Sequence, residues 1–325
     1  MPIQSFSNVD ELEEANRKAG WNLEYHQLGR GPFSAHFAAR QWGEALLMRE
    51  RFGASMEIVG EPPDGALAVI VPVDVDCKAT VNGCEVRDGR LFVMRPGSEL
   101  NAIVSDRLEA YSLYLPESAL FEATGEFSPR YANLSGYIVP VSAEPSAINT
   151  LHRKISRLIR APAPRGITQQ ELVSDITTHI VDLISNSDIA GSRSGAPHSC
   201  SSARSLGVAR EYIEAHLFEP IRIPNVCRHA GISARTLERL FGRELSMSPT
   251  QYIRARRLNS IRRRLIASDP EACRVTDIAF DHGFTHLGRF AGEYRAFFGE
   301  PPSRTLNTEP RARQRSRSTN RSLSQ

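Results

Sequence analysis

The strongest constraint on this chain is a helical pattern written twice between residues 223 and 303, with the copies 52 to 53 residues apart. The first runs Asn225-Val226-Cys227-Arg228-His229-Ala230-Gly231-Ile232-Ser233-Ala234-Arg235-Thr236-Leu237-Glu238-Arg239-Leu240-Phe241. The second runs Asp277-Ile278-Ala279-Phe280-Asp281-His282-Gly283-Phe284-Thr285-His286-Leu287-Gly288-Arg289-Phe290-Ala291-Gly292-Glu293-Tyr294. In each, a small residue (Cys227, Ala279) lets two helices approach. Four residues later a glycine (Gly231, Gly283) can take the positive φ that ends the first helix in a tight turn. Ser233 is placed to cap the next helix of the first copy, whose Leu237 and Phe241 share a face, as Phe290 and Tyr294 do in the second. The second turn is one residue longer. One such match is often an ordinary packed helix pair, but two copies joined by one long helix indicate a duplicated helix-turn-helix module.

With Ser248-Pro249 opening the connecting helix and Phe297-Phe298-Gly299-Glu300-Pro301-Pro302-Ser303 closing the region, residues 204–306 resemble the AraC/XylS family of bacterial transcription regulators. The resemblance covers about a third of the chain. It implies a DNA-binding domain at 204–308, an N-terminal sensing and dimerisation domain at 1–186, and a cupin-like β-barrel with covering helices in that domain. The expected fold class is α+β.

Composition is consistent with two domains. Of 325 residues, 41% are hydrophobic, enough for sizeable cores. The net charge of +3 is unevenly spread. Residues 1–202 carry 18 basic and 25 acidic side chains, residues 203–308 carry 17 and 11, and residues 309–325 carry 5 and 1. An acidic front and a basic rear suit a sensor joined to a polyanion binder, although a charge run alone is usually a solvated face. No apolar run has the length of a membrane span and the first residues lack a signal-peptide pattern, so no membrane association and a cytoplasmic location are expected. Cys77, Cys84, Cys200, Cys227 and Cys273 are scattered without a Cys-x-x-Cys pair, which argues against a disulfide frame or a zinc site.

Residues 1–30 form a polar lead with a short helix over Asp10–Lys18. From Phe33 to Leu115 short apolar stretches (Glu44–Phe52, Ser55–Val59, Ala66–Val73, Cys77–Val81, Arg90–Met94 and Ala110–Leu115) broken by Gly, Pro and Asp predict an antiparallel sheet or barrel. A metal-dependent cupin needs a His/Glu cluster. Only His26 and His36 are available, and Ser98-Glu99-Leu100-Asn101 follows the Pro96-Gly97 turn, so neither metal, cofactor nor catalysis is expected. A barrel interior could still hold a small molecule; the aromatic residues there (Trp42, Phe52, Phe92, Tyr111, Tyr114) are better read as core. Ile148, Leu151, Ile155, Leu158 and Ile159 mark one amphipathic helix, and Leu172, Ile176, Ile180, Leu183 and Ile184 another. These helices either cover the barrel or, by resemblance, bring the second into a homodimer. Residues 187–203 look like a flexible linker, and 309–325 like a basic disordered tail adding nonspecific DNA attraction.

At roughly 100° per residue, Arg235, Arg239 and Arg243 lie within about 80° of one another on the first reading helix, with Thr236 at the edge and Leu237, Leu240 and Phe241 elsewhere. By resemblance, Arg235, Thr236, Glu238 and Arg239 face bases, Ser233 borders them, and Arg243 meets phosphate. The connecting helix, about 30 Å long, would set the two reading helices one DNA turn apart. On it Arg254, Arg256, Arg257, Arg262, Arg263 and Arg264 are available for phosphate or solvent. The second reading helix offers Thr285, His286, Leu287 and Arg289, with Arg295 toward the backbone. Its Gly288 and Gly292 suggest phosphate and shape reading more than base specificity.

The function expected is therefore a regulator, an activator, responding to a small-molecule effector, with double-stranded DNA and RNA polymerase as partners. The competing readings are a constitutive architectural DNA binder and an enzyme fused to a DNA-binding domain. A DNA-repair methyltransferase of that kind would need a reactive cysteine and a four-cysteine zinc cluster that this spacing lacks.

Overall fold

The computed structural model describes residues 4–63, 65–73, 78–105, 108–116, 118, 120–121, 138–160, 168–187 and 198–307. It divides into two compact units, one comprising the N-terminal residues to His26 and Phe33–Ala203, the other Gln27–Pro32 with the chain from Arg204 onward.

In the first unit a seven-stranded sheet has the order β1 (Gln4–Phe6), β3 (Ala35–Trp42), β4 (Ala45–Phe52), β11 (Glu109–Pro116), β6 (Ala66–Pro72), β9 (Arg90–Met94), β12 (Ile138–Ser142). A five-stranded sheet has the order β2 (Asn22–Gln27), β5 (Met56–Glu61), β10 (Leu100–Val104), β7 (Ala79–Val81), β8 (Cys84–Glu85). These are two open sheets, which corrects the expected barrel. The larger ends on β1 and β12 and the smaller on β2 and β8, with no ladder joining those edges among the described residues.

The side-chain period of two explains why both faces of the larger sheet are apolar. On β6, Leu67, Val69 and Val71 point to one face and Ala68 and Ile70 to the other; on β9, Leu91 and Val93 oppose Phe92 and Met94. The outer set packs under α2 (Pro145–Arg160) and α3 (Gln169–Asn186), whose Ile148, Leu151, Ile155, Ile176, Ile180 and Ile184 are buried in the same core. The apolar stripes of both helices are thus used to cover the sheet. Thr168 and Glu171 form a capping box that starts α3.

The inner set meets the smaller sheet. The supposed polar lead contributes to this core. Besides α1 (Val9–Lys18), capped by Asn8, it supplies β1 and β2, and Trp21, Leu23 and Tyr25 are buried between the sheets.

The second unit is helical, with α4 (His198–Ala215), α5 (Ile223–Ala230), α6 (Ala234–Leu245), α7 (Pro249–Ala267), α8 (Val275–Asp281), α9 (Leu287–Phe298) and α10 (Pro302–Leu306). Helix α4 begins inside the stretch expected to be linker; residues 188–197 and the tail from 308 onward lie outside the described residues. Ser248 and Gln251 make a capping box at the start of α7, and Pro249 takes the first helical position, where its missing N–H costs nothing. Buried Tyr252, Leu258, Ile261 and Leu265 place α7 in the centre of this unit.

Candidate nucleic-acid interface and effector cavity

The first helix-turn-helix is α5 and α6. Gly231 sits at φ 65°, the left-handed conformation the turn requires, and the amide of Ile232 donates to the Cys227 carbonyl. Ser233 Oγ accepts from the Thr236 amide at 3.1 Å, which caps α6. Leu237, Leu240, Phe241 and Leu245 are buried, and Phe241 packs edge-on against Tyr252 of α7. The opposite face carries exposed Arg235, Glu238, Arg239 and Arg243, with Thr236 half-buried beside Ser233. Exposed Arg243 is held at 2.5 Å by Glu244, whose side chain is mostly buried.

The second is α8 and α9. Gly283 has φ 79°, and Phe284 N donates to Ala279 O, repeating the first turn. Phe290, Tyr294, Phe297 and Phe298 are buried, while Thr285, His286, Arg289 and Arg295 are exposed and Leu287 is half-buried. Along the exposed side Gly288, Ala291 and Gly292 intervene between the polar residues. Buried His282 closes the turn. Its Nδ1 lies 2.7 Å from the Ile278 carbonyl and must donate, leaving Nε2 to accept from Ser260 Oγ at 3.0 Å. Burial, helped by the Arg264 and Arg257 charges, holds the imidazole below its ordinary pKa of 6.5 against the opposing effects of Ile278 and Asp281.

The arginines of α7 are not a free basic stripe. Arg254 pairs with Glu293 of α9 and lies over the Phe284 ring. Arg256, almost wholly buried, bonds Glu214 of α4 through Nη2 at 2.6 Å and Nε at 2.9 Å. Arg257 donates to the Leu217 and Glu219 carbonyls. Arg262 bonds Glu300 at 2.7 Å, in a network with Thr305 and Tyr294, and Arg264 reaches Asp281. Five of the six arginines expected to face phosphate or solvent therefore tie other segments of the unit to α7.

A second feature lies between the two sheets of the first unit: a cavity of about 40 Å³ walled mostly by apolar side chains. Its polar members are Trp21, Tyr25, Glu50 and Ser112. Glu50 points inward because it shares the face of Met48 and Phe52 on β4. Burial pushes its carboxyl up from 4.5 to about 7, against the lowering effect of hydrogen bonding to Asn16 and Tyr25. Tyr25 is raised well above its usual value, first by burial and then by the nearby Glu50 charge. Among the described residues, no group of three His, Cys, Asp or Glu could hold a metal, and no helix is long and apolar enough to cross a membrane.

Residues 226–308, spanning both motifs, match the helix-turn-helix domain family model. The chain is 28% identical over 285 residues to the XylDLEGF operon transcriptional activator 3 of Pseudomonas putida, covering 82% of this chain and 80% of that protein. Together these similarities support an AraC/XylS family regulator. To the "probable thc operon regulatory protein" of Rhodococcus erythropolis it is 40% identical over 103 residues, spanning 32% of this chain and only 31% of that relative. The structure of the AraC-like transcriptional activator CuxR aligns with a TM-score of 0.41 and 18% identity over 80% of this chain and 94% of that one.

The two helix-turn-helix units are legible from the repeat. The cavity is not. Glu50 lies in a stretch whose pattern predicts an apolar strand, and Trp21 in one whose composition predicts a polar lead. Inward alternation along β4 (Met48, Glu50, Phe52) was the available signal for the first.

Proposed function

We propose that this chain is a sequence-specific transcription regulator, an activator, that answers to a small molecule held between its two sheets. In this reading α6 enters a major groove, where Arg235, Thr236, Glu238 and Arg239 face base edges, Ser233 borders them and Arg243 meets a phosphate. Helix α9 enters the next groove on the same DNA face with Thr285, His286, Leu287, Arg289 and Arg295, where it contributes backbone and shape contacts. At 1.5 Å per residue the 19-residue α7 is about 28 Å long, near the 34 Å of one DNA turn. The observation that carries the proposal is the sidedness of α6, with every large apolar residue buried and an exposed face of three arginines and a glutamate, inside a duplicated module.

RNA polymerase and a second copy of the chain belong to the same proposal. A homodimer through α3 would use its exposed polar face, including Asp175, Thr178 and Asp182, because its apolar face is occupied. The test is capture of genomic fragments by the full chain at moderate salt, followed by sequencing. Two sequence blocks about one helical turn apart support the reading. Retention that lacks sequence preference and fades smoothly with salt refutes it.

A further inference from the structure

The cavity between the sheets holds more information about its occupant than its size. Two of the residues lining it keep a buried polar atom without a hydrogen-bond partner among the described residues: Trp21 Nε1, a donor only, and Glu50 Oε1. Both side chains are at least nine-tenths buried. Such atoms are uncommon in folded proteins and are normally satisfied by water or a ligand. Ser112, which registers opposite Met48 on the neighbouring strand, adds a buried hydroxyl to the same wall. None of the residues lining the cavity is Lys, Arg or His.

These facts restrict charge and head group together. A carboxylate ligand would enter an apolar space beside Glu50 with no cation to offset it, and burying an unpaired charge is strongly unfavourable. An ammonium group could pair with Glu50 but has no lone pair to accept from the Trp21 indole. A hydroxyl or carboxamide both donates and accepts. Resting on the regulator reading above, we propose that the cavity takes an uncharged small molecule with an apolar body and a hydroxyl or carboxamide head, which donates to Glu50 and accepts from Trp21. Glu50 and Trp21 thereby set specificity against anions and cations, and Ser112 supplies the remaining polar contact.

The test uses three probes with one five-carbon body, pentanamide, pentylamine and pentanoate, titrated into the full-length protein at pH 7.5. Their effect on unfolding is followed by tryptophan fluorescence. Both tryptophans, Trp21 and Trp42, lie in the sheet unit, so the signal reports on that unit. A ligand that binds only the folded state must raise the transition. Pentanamide is expected to bind at least tenfold more tightly than either charged probe. Trp21→Phe, which removes the indole donor and keeps an aromatic ring, is expected to weaken pentanamide about fivefold to tenfold. Glu50→Gln is expected to narrow the gap between pentanamide and pentanoate to within about threefold.

Tighter binding of pentanoate or pentylamine by the wild-type chain overturns the proposal, as does stabilisation by none of the three, which would mean that water alone fills the cavity. Unchanged selectivity in both variants also overturns it. Failure here with sequence-specific capture of DNA intact leaves the regulator reading standing. Pentanamide selectivity in a chain that retains DNA without sequence preference would remove the regulator reading and keep the cavity's specificity.

Discussion

Replacing Glu50 by Gln should stabilise the sheet unit at neutral pH, which is the reverse of what most substitutions in a packed core do. The reason is linkage. The carboxyl titrates at about 7 in the folded chain against 4.5 in the unfolded one, chiefly because burial penalises its charged form. Below pH 4.5 the group is protonated in both states and costs nothing. Between 4.5 and about 7 the folded state binds more protons, so stability falls as pH rises, and above about 7 the full penalty is present. A difference of about 2.5 pKa units at about 1.4 kcal/mol each gives about 3 kcal/mol. Gln is nearly isosteric, carries no charge and keeps an oxygen for the Asn16 and Tyr25 interactions. The groups around Glu50 are Tyr25 and Asn16, with Glu13 near Tyr25, and its register partners on β3 and β11 are Phe37 and Ala110; Arg49 and Arg51, adjacent on β4, point to the opposite face. For a unit of this size the gain is about 6–12 °C in the fluorescence-detected midpoint at pH 8, shrinking toward zero at pH 5. An equal effect at both pH values, or destabilisation at pH 8, would refute the assignment of Glu50 as a buried carboxyl that ionises at a cost.

Four further outcomes follow from the same geometry. Arg235→Ala and Arg239→Ala should each weaken binding to a selected DNA site by about tenfold to a hundredfold, corresponding to about 1–3 kcal/mol, and relax base preference in competition assays. Thr285→Ala and His286→Ala should alter preference much less, and the opposite ranking would transfer base reading to α9. Gly231→Ala should cost about 1 kcal/mol in chemical denaturation, since an added Cβ meets nothing within 4 Å and only the left-handed backbone is penalised. Gly60→Ala should prevent native folding of the sheet unit, because its Cβ would stand 1.9 Å from the Asn22 carbonyl oxygen at φ 146°. For His282, whose folded pKa is depressed, the unfolded state takes up the proton first. Stability of the helical unit should therefore fall as pH drops below 6.5, measured as a urea midpoint by circular dichroism, and His282→Gln should flatten that dependence.

What could be read in the sequence was whatever announces itself by periodicity. The turn glycines, the Ser233 and Ser248 caps and the stripes of α2 and α3 depend on spacing within one element, and the structure places them where the spacing puts them. Strands β2, β3 and β10 escaped because polar residues interrupt their apolar ones, as Glu24 does between Leu23 and Tyr25 and Asn101 between Leu100 and Ala102; His26 and Gln27 are buried despite being polar. The open pair of sheets was also beyond reach, since closure depends on which edges meet and β-strand alternation looks the same in a barrel and a sandwich. The cavity needed two sheets brought face to face before Trp21, 29 residues from Glu50, could share a wall with it.

The arginines of α7 show the same limit in electrostatic form. Charge counting treats each as a candidate for the phosphate backbone, yet Arg254, Arg256, Arg257, Arg262 and Arg264 are spent holding α4, α8, α9 and the segments after α4 and α9 around the central helix. The basicity of the unit therefore overstates its phosphate contacts, while its rigidity, which fixes how α6 and α9 are presented, is higher than charge alone suggests. Salt dependence separates the two roles, because each phosphate neutralised contributes about −0.9 to the slope of log K against log salt. Arg243→Met, at an exposed position paired with the mostly buried Glu244 side chain, should reduce the magnitude of that slope by about 1. Arg254→Met should leave the slope within about 0.3 while lowering the stability of the helical unit, since the lost partners are Glu293 and the Phe284 ring. A slope change of about 1 for Arg254→Met with unaltered stability would return α7 to the DNA interface and undo its assignment as a brace.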